Sequence, residues 1–148
     1  MKFLSLYKWI AGSMTDFTSQ FKNNEVLYNQ ARAYWNKLES SSAIILLIFI
    51  VLGIAITICY YQPYNNRPGR HYTPKHWLYF LFGTFILCFI VTLGFEYFAA
   101  PPKLTGTTIL QLKIAIGNAI YASLLYAFSS WIWCQFNIPT NACRFLKF

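Results

Sequence analysis

The sequence predicts an all-α integral membrane protein, with three transmembrane helices preceded by an N-terminal amphipathic helix. Three observations carry this. The chain of 148 residues is 57% hydrophobic and only 11% charged, where a soluble domain carries about a quarter charged residues. Its apolar residues come in long blocks, not along faces, and each block is long enough to cross a bilayer as a helix. Ahead of the first block, apolar residues recur at spacings of four and three, which is the pattern of a helix with one apolar seam. Two parts follow, an N-terminal part over 1–42 and a three-span part over 43–148.

Residues 1–11, MKFLSLYKWIA, have a basic start and an apolar patch. A signal peptide needs a continuous apolar core of about 7–15 residues, and Lys8 interrupts this one. Phe3, Leu4, Tyr7, Trp9 and Ile10 are types that settle at a headgroup boundary, so an interfacial segment is expected. Ser13 and Asp16 have the spacing of a capping box, in which hydroxyl and carboxylate satisfy free N–H groups at a helix start. From there one helix is expected to reach Glu39, with Phe17, Phe21, Asn24, Tyr28, Ala31, Trp35 and Leu38 on its seam. Asn24 would fix the register of a partner helix. The plainer use of the seam is to lie along the protein's own spans or on the membrane surface.

The first span is expected at 43–61, ending on the aromatic pair Tyr60 and Tyr61, with Gly53 and Thr57 offering a small contact one turn apart. Ser40, Ser41 and Ser42 lead in and allow helix to continue from the seam into the span. The polar loop 62–76 carries Pro63, Pro68 and Pro74, which exclude a regular helix. It also holds Arg67, Arg70 and Lys75, the densest positive charge in the chain, expected to meet lipid phosphates or a partner. His71 and His76 lie there without a Cys, Asp or Glu to complete a metal shell.

The second span is expected at 77–100. Thr84, Cys88, Thr92 and Glu96 recur every four residues, giving a small and polar stripe that ends in a carboxylate. Pro101 and Pro102 stop the helix, and the short turn PPKLTGTT makes spans two and three neighbours. The third span is expected at 109–135. Ala115, Ala119, Ser123 and Ala127 put small side chains at the same spacing, with Gln111 and Asn118 on that face and Lys113 near the start. Thr84, Cys88 and Thr92 are expected to face Ala115, Ala119 and Ser123. Glu96, one turn from the span's end, is expected to tie to Gln111 or Lys113; a proton or ion site is the functional alternative.

The remaining observations bound function. A formal net charge of +8 could suggest nucleic acid, but the basic residues form no single face and no nucleic-acid motif is present. They flank spans instead. No Gly-rich phosphate loop, paired carboxylates or metal-ligand cluster occurs, so an enzyme, a cofactor and a metal site are not expected. Cys59, Cys88, Cys134 and Cys143 contain no Cys-x-x-Cys and are expected as four free thiols; Cys134 and Cys143 would pair only on an oxidising side. The tail 137–148 ends in Phe145, Leu146 and Phe148 with Arg144 and Lys147, and is expected to rest on headgroups.

Short-range charge puts Arg67, Arg70, Lys75, Arg144 and Lys147 on one side, five in all, against Arg32, Lys37 and Lys103 on the other. In a bacterial inner membrane, the favoured setting over an organelle membrane, this places 62–76 and the C-terminus in the cytoplasm. Counting Lys2, Lys8 and Lys22 reverses the balance. The expected role is a non-catalytic structural or adaptor subunit of a larger membrane assembly, its partners being lipids and other subunits or copies of itself. The alternative is a small pore-forming or membrane-disrupting homo-oligomer, for which Gln111, Asn118 and Ser129 would supply a polar stripe. A bulky residue at Ala119 is expected to hurt assembly more than Asn118→Leu, at about 1 kcal/mol.

Overall fold

A computed structural model describes residues 3–65, 74–104 and 106–136. Among these every regular element is a helix. A 3-10 turn over Phe3–Tyr7 runs into α1, Lys8–Ala11. Gly12, at φ 79, then turns the chain through a conformation that costs a glycine nothing. α2 covers Met14–Ser19 and α3 covers Glu25–Ser40. α4 covers Ser42–Cys59 and passes into a π turn at Tyr60–Tyr64. α5 covers Pro74–Ala99 and α6 covers Thr107–Phe136. Three helical stretches, Ser42–Tyr64, Pro74–Ala99 and Thr107–Phe136, are long and apolar enough to cross a membrane.

The capping box forms. The Asp16 amide donates to Ser13 Oγ at 3.2 Å, and the Ser13 amide donates to Asp16 Oδ2 at 2.8 Å. The single helix expected from there to Glu39 does not. It breaks over 20–24, and Asn24 is the N-cap of α3, its Oδ1 accepting from the Val26 and Leu27 amides. An Asn side chain that can satisfy two orphan amides is better placed at a helix start than inside one. Asn24 therefore starts a helix and is not a register residue on a seam. The other seam residues divide between the two helices. Phe17 from α2 packs on Tyr34 and Trp35 of α3, with ring centroids 6.3 and 6.1 Å apart. Ala31, Trp35 and Leu38 are buried, while Phe21 and Tyr28 are half-buried.

The serines interrupt the helix at one residue, Ser41. Ser40 and Ser41 hydroxyls both donate back to the Lys37 carbonyl, and Ser42 donates to the Glu39 carbonyl. Such back-bonding competes with the helix ladder and bends it. At the far end of α4 the helix runs past its expected limit. Pro63 sits inside the π turn, and the Asn65 side chain donates to the Tyr60 carbonyl at 2.7 Å, replacing a backbone donor the continuing ladder would have supplied. Pro74 also lies within a helix, at the first position of α5, where its missing N–H is not needed. Lys75 and His76 thus belong to the first turn of α5.

The chain divides into two compact units. One comprises Met1–Ile48 and Phe89–Asn118, the other Phe49–Cys88 and Ala119–Phe148. The N-terminal part expected over 1–42 shares its unit with the end of α5 and the start of α6. In that first unit the N-terminal segment turns two of its apolar side chains inward and two outward. Tyr7 is wholly buried and Leu4 nearly so, whereas Leu6 and Trp9 face outward. Gly117 explains the fit of Tyr7: a Cβ there would lie 3.0 Å from the tyrosine's Cδ1. In the second unit Gly53 plays the same part, since its Cβ would lie 3.1 Å from the Ala122 carbonyl oxygen and 3.1 Å from Leu125 Cδ2.

Candidate functional site

The buried amide and carboxyl side chains of the long helices, Glu96, Gln111 and Asn118, lie in the first unit. Asn118, fully buried on α6, is the centre. Its Oδ1 accepts from the Tyr7 hydroxyl at 2.7 Å. Its Nδ2 lies 2.7 Å from Thr92 Oγ1 and donates to the Ile45 carbonyl at 3.0 Å. One amide thereby joins the N-terminal turn, α4 and α5 to α6. A side-chain amide carries two N–H donors and a carbonyl acceptor, so it can donate twice and accept at once, which a hydroxyl with its single donor cannot do.

Gln111 does a different job two turns earlier on α6. Its Nε2 donates to the Ala100 carbonyl at 2.8 Å and to the Glu96 carbonyl at 3.2 Å. The last carbonyls of a helix lack partners, and Pro101 and Pro102 prevent the chain from supplying the next amides. Gln111 thus caps α5. The turn that permits this includes Gly106 at φ 87 and the Thr107 hydroxyl donating to the Leu104 carbonyl.

The expected tie from Glu96 to Gln111 or Lys113 is accordingly not made by the carboxylate. The Gln111 amide is taken up by main-chain carbonyls, and Lys113 is exposed. Glu96 itself is 1% exposed, and neither carboxylate oxygen has a hydrogen-bond partner among the described residues. Its neighbour on α3 is Tyr34, buried and likewise without a partner for its hydroxyl. Burial pushes the Tyr34 phenol above its ordinary value and the Glu96 charge pushes the same way; Gln111, beside the phenol without meeting hydrogen-bond geometry, opposes them. Tyr34 also lines a cavity of about 360 Å³, bounded by Gln30, Lys37, Ala100, Lys103 and Leu104. Tyr34 was not singled out by spacing. It is one position off the seam, and only the turn of α3 against α5 shows its use.

The small stripe of α5 is buried throughout: Thr84, Cys88, Thr92 and Glu96 are all inaccessible. The line on α6 departs from the expected one. Gln111, Ala115, Asn118 and Ala119 are buried, but the buried line continues through Ala122, Tyr126, Ser130 and Cys134, leaving Ser123 and Ala127 half-buried. A helix turns 3.6 residues per cycle, so a strict spacing of four drifts off any fixed face. Steps of three must intervene.

The second unit holds a dense aromatic cluster. Tyr60, Tyr61, Trp77 and Tyr126 are buried together, with Tyr64, Phe80 and Trp133 packed against them. Tyr61 and Trp133 stack at 5.6 Å with planes 13° apart, and Tyr60 meets Tyr61 edge-on at 4.8 Å. Aromatic pairs favour these geometries. The Tyr61 hydroxyl lies 3.5 Å from Cys134 Sγ. Cys134 is disulfide-bonded, to a partner outside the described residues. The expectation of four free thiols is therefore corrected, although Cys59 and Cys88 are thiols. Sequence spacing alone does not show which sulfurs approach within bonding distance.

Of the residues expected at lipid headgroups, Lys75 is exposed on the first turn of α5. Arg67 and Arg70 lie outside the described residues, as do His71, Arg144, Lys147 and the tail. No group of three or more His, Cys, Asp or Glu that could hold a metal occurs among the described residues. Comparison with protein families, with curated proteins and with solved structures finds no match.

Proposed function

We propose that this chain spans a bilayer three times and serves as a non-catalytic structural or adaptor subunit of a larger membrane assembly. The observation that carries the reading is the Asn118 joint. Thr92, Gln111 and Asn118 are turned inward and tied to neighbouring elements, while Ile44, Leu47, Val51, Phe82, Ile86 and Ile90 face outward. An outer surface of that kind suits lipid tails or apolar helices of other proteins. A pore would instead turn Gln111 and Asn118 towards water, and both have their amides occupied inside the first unit.

The Cys134 disulfide supports a topology in which the end of α6 faces an oxidising compartment. It agrees with the fuller charge count, in which Lys2, Lys8 and Lys22 join Arg32, Lys37 and Lys103 on the reducing side. In a bacterial inner membrane the C-terminus would then be periplasmic, opposite to the side given by the shorter count. Alkylation of intact cells by an impermeant maleimide, with and without prior reduction, tests this: new labelling after reduction supports it, and a cytoplasmic C-terminal reporter overturns it.

For the role itself, a tagged copy is crosslinked in cells and purified in mild detergent. A fixed stoichiometric set of other membrane proteins is expected. Recovery of copies of this chain alone, together with dye release from vesicles containing it, would replace the subunit reading by the pore.

A further inference from the structure

We propose that Glu96, with Tyr34 beside it, forms a proton-binding site in the membrane-embedded part of the protein, reached from the cavity that Tyr34 lines. This goes beyond the structural role above.

The argument starts from unmet hydrogen-bonding needs. A carboxylate removed from water requires donors or a counter-charge. Both Glu96 oxygens are enclosed, and among the described residues no donor reaches either. The surroundings offer no remedy. From α6, Gln111 is the facing polar group, and its amide is committed to the carbonyls of Ala100 and Glu96. Lys113 on the same helix is exposed. From α3 the facing group is Tyr34, whose own hydroxyl lacks a partner. Lys37 and Lys103 stand on the walls of the cavity. Binding a proton removes the charge: one O–H bond forms on a carboxylate oxygen, and the new hydroxyl becomes a donor where there was none.

A purely structural carboxylate would be expected to hold something, as Asp16 holds the Ser13 amide and hydroxyl. Glu96 holds nothing with its side chain; the ties at this place are made by Gln111 and by main-chain carbonyls. The proposed route runs past residues that do border the cavity. Ala100, one turn beyond Glu96 on the same face of α5, lines the cavity, and so does Tyr34. The Tyr34 phenol borders the cavity and lies close enough to the carboxylate to feel its charge. An intramembrane ionisable residue with a route to water is the usual arrangement of a proton relay.

The test uses the full chain in phosphatidylcholine–phosphatidylglycerol vesicles and the apolar reagent dicyclohexylcarbodiimide. The reagent adds to protonated carboxyl groups in apolar surroundings without loss of atoms, so the labelled peptide gains the reagent's mass. Labelling at Glu96 near neutral pH is expected, declining as the pH is raised, with Asp16, Glu25 and Glu39 unlabelled. Glu96→Gln abolishes it. Infrared spectra after a pH jump should show a protonated carboxyl band that disappears in the same variant. Tyr34→Phe should keep the band and slow its response to the jump. Absence of both labelling and band in the unmodified protein overturns the proposal, and needs no variant to fold. A band that survives Glu96→Gln also overturns it. An unchanged response in Tyr34→Phe overturns the route through the phenol.

Discussion

The two compact units are built from the same three long helices yet are held by different forces. In the first, side-chain amides do the joining: Asn118 meets Tyr7, Thr92 and Ile45, and Gln111 closes the end of α5. In the second, rings do it: Tyr60, Tyr61, Trp77, Tyr126 and Trp133 pack together. Between lipid tails and apolar side chains there is no hydrophobic driving force, so association rests on close packing and on hydrogen bonds. The amide joint of the first unit and the ring cluster of the second are one instance of each. Hydrogen bonds are directional and fix which elements meet. Aromatic packing supplies many small contacts and tolerates a shift of one group.

The largest effect should come from the aromatic unit. Tyr60→Ala removes a fully buried ring that touches Tyr61, Tyr64, Phe80 and Tyr126. A loss on the order of 3 kcal/mol is expected, read as thermal stability in detergent. A loss no greater than that of an exposed Phe98→Ala control would break the contrast.

Asn118→Leu comes next. It removes three hydrogen bonds at once, and at the modest strength of each in a membrane the sum is about 2 kcal/mol. That exceeds the cost expected from the sequence, where the number of its partners was invisible. The effect should localise: limited proteolysis ought to cut the N-terminal segment sooner, because Tyr7 loses its acceptor, while near-ultraviolet circular dichroism from the aromatic unit stays the same. Uniform loosening of both would show that the units do not differ in the way described.

Glycines sharpen the comparison further. Gly53→Ala pushes a methyl against the Ala122 carbonyl and should cost about 1–2 kcal/mol. Gly83 and Gly94 have nothing within 4 Å of an added Cβ, and alanine there should stabilise by about 0.5–1 kcal/mol. If all three substitutions act alike in a melting experiment, close backbone approach at Gly53 is not what orders the second unit.

The smallest effect concerns the capping box of α2. The Ser13 side chain and then its backbone amide hold the Asp16 carboxyl below its usual range. A depressed carboxyl contributes stability that is present above its ordinary value and is lost as the pH falls through its folded value. Ser13→Ala should cost about 1 kcal/mol at neutral pH. The gap between the two melting temperatures should narrow on acidification; a gap that is constant with pH would remove the carboxylate from the account.

Much of this was legible in the residues. Long uncharged blocks located the three apolar helices within a few residues. The capping box was readable because its two members lie three apart and act locally. So was the stripe ending in Glu96, because one helix face is a local property. What failed was whatever depends on a second element. Asn24 reads equally as a seam polar residue or an N-cap, and only the break at 20–24 decides. Gly117 gave no signal, since its use is to admit a ring from residue 7. Gln111 was placed beside Glu96 correctly, yet which atom of Glu96 it meets depends on the carbonyls stranded by two prolines. The Cys134 disulfide was lost for the same reason.

The Tyr7–Asn118 hydrogen bond joins residues 111 positions apart, and this sets an order of events during biosynthesis. Tyr7 leaves the ribosome 111 residues ahead of its acceptor, which emerges only after two apolar helices have been made. At synthesis rates of about 5–20 residues per second the tyrosine waits several seconds or longer for its partner. Its socket at Gly117 arrives with the same stretch of α6. Until then the N-terminal segment has neither its groove nor its acceptor and is open to other binders, such as chaperones or the insertion machinery. Its docking is therefore a late step, one that can occur only after α6 has entered the fold.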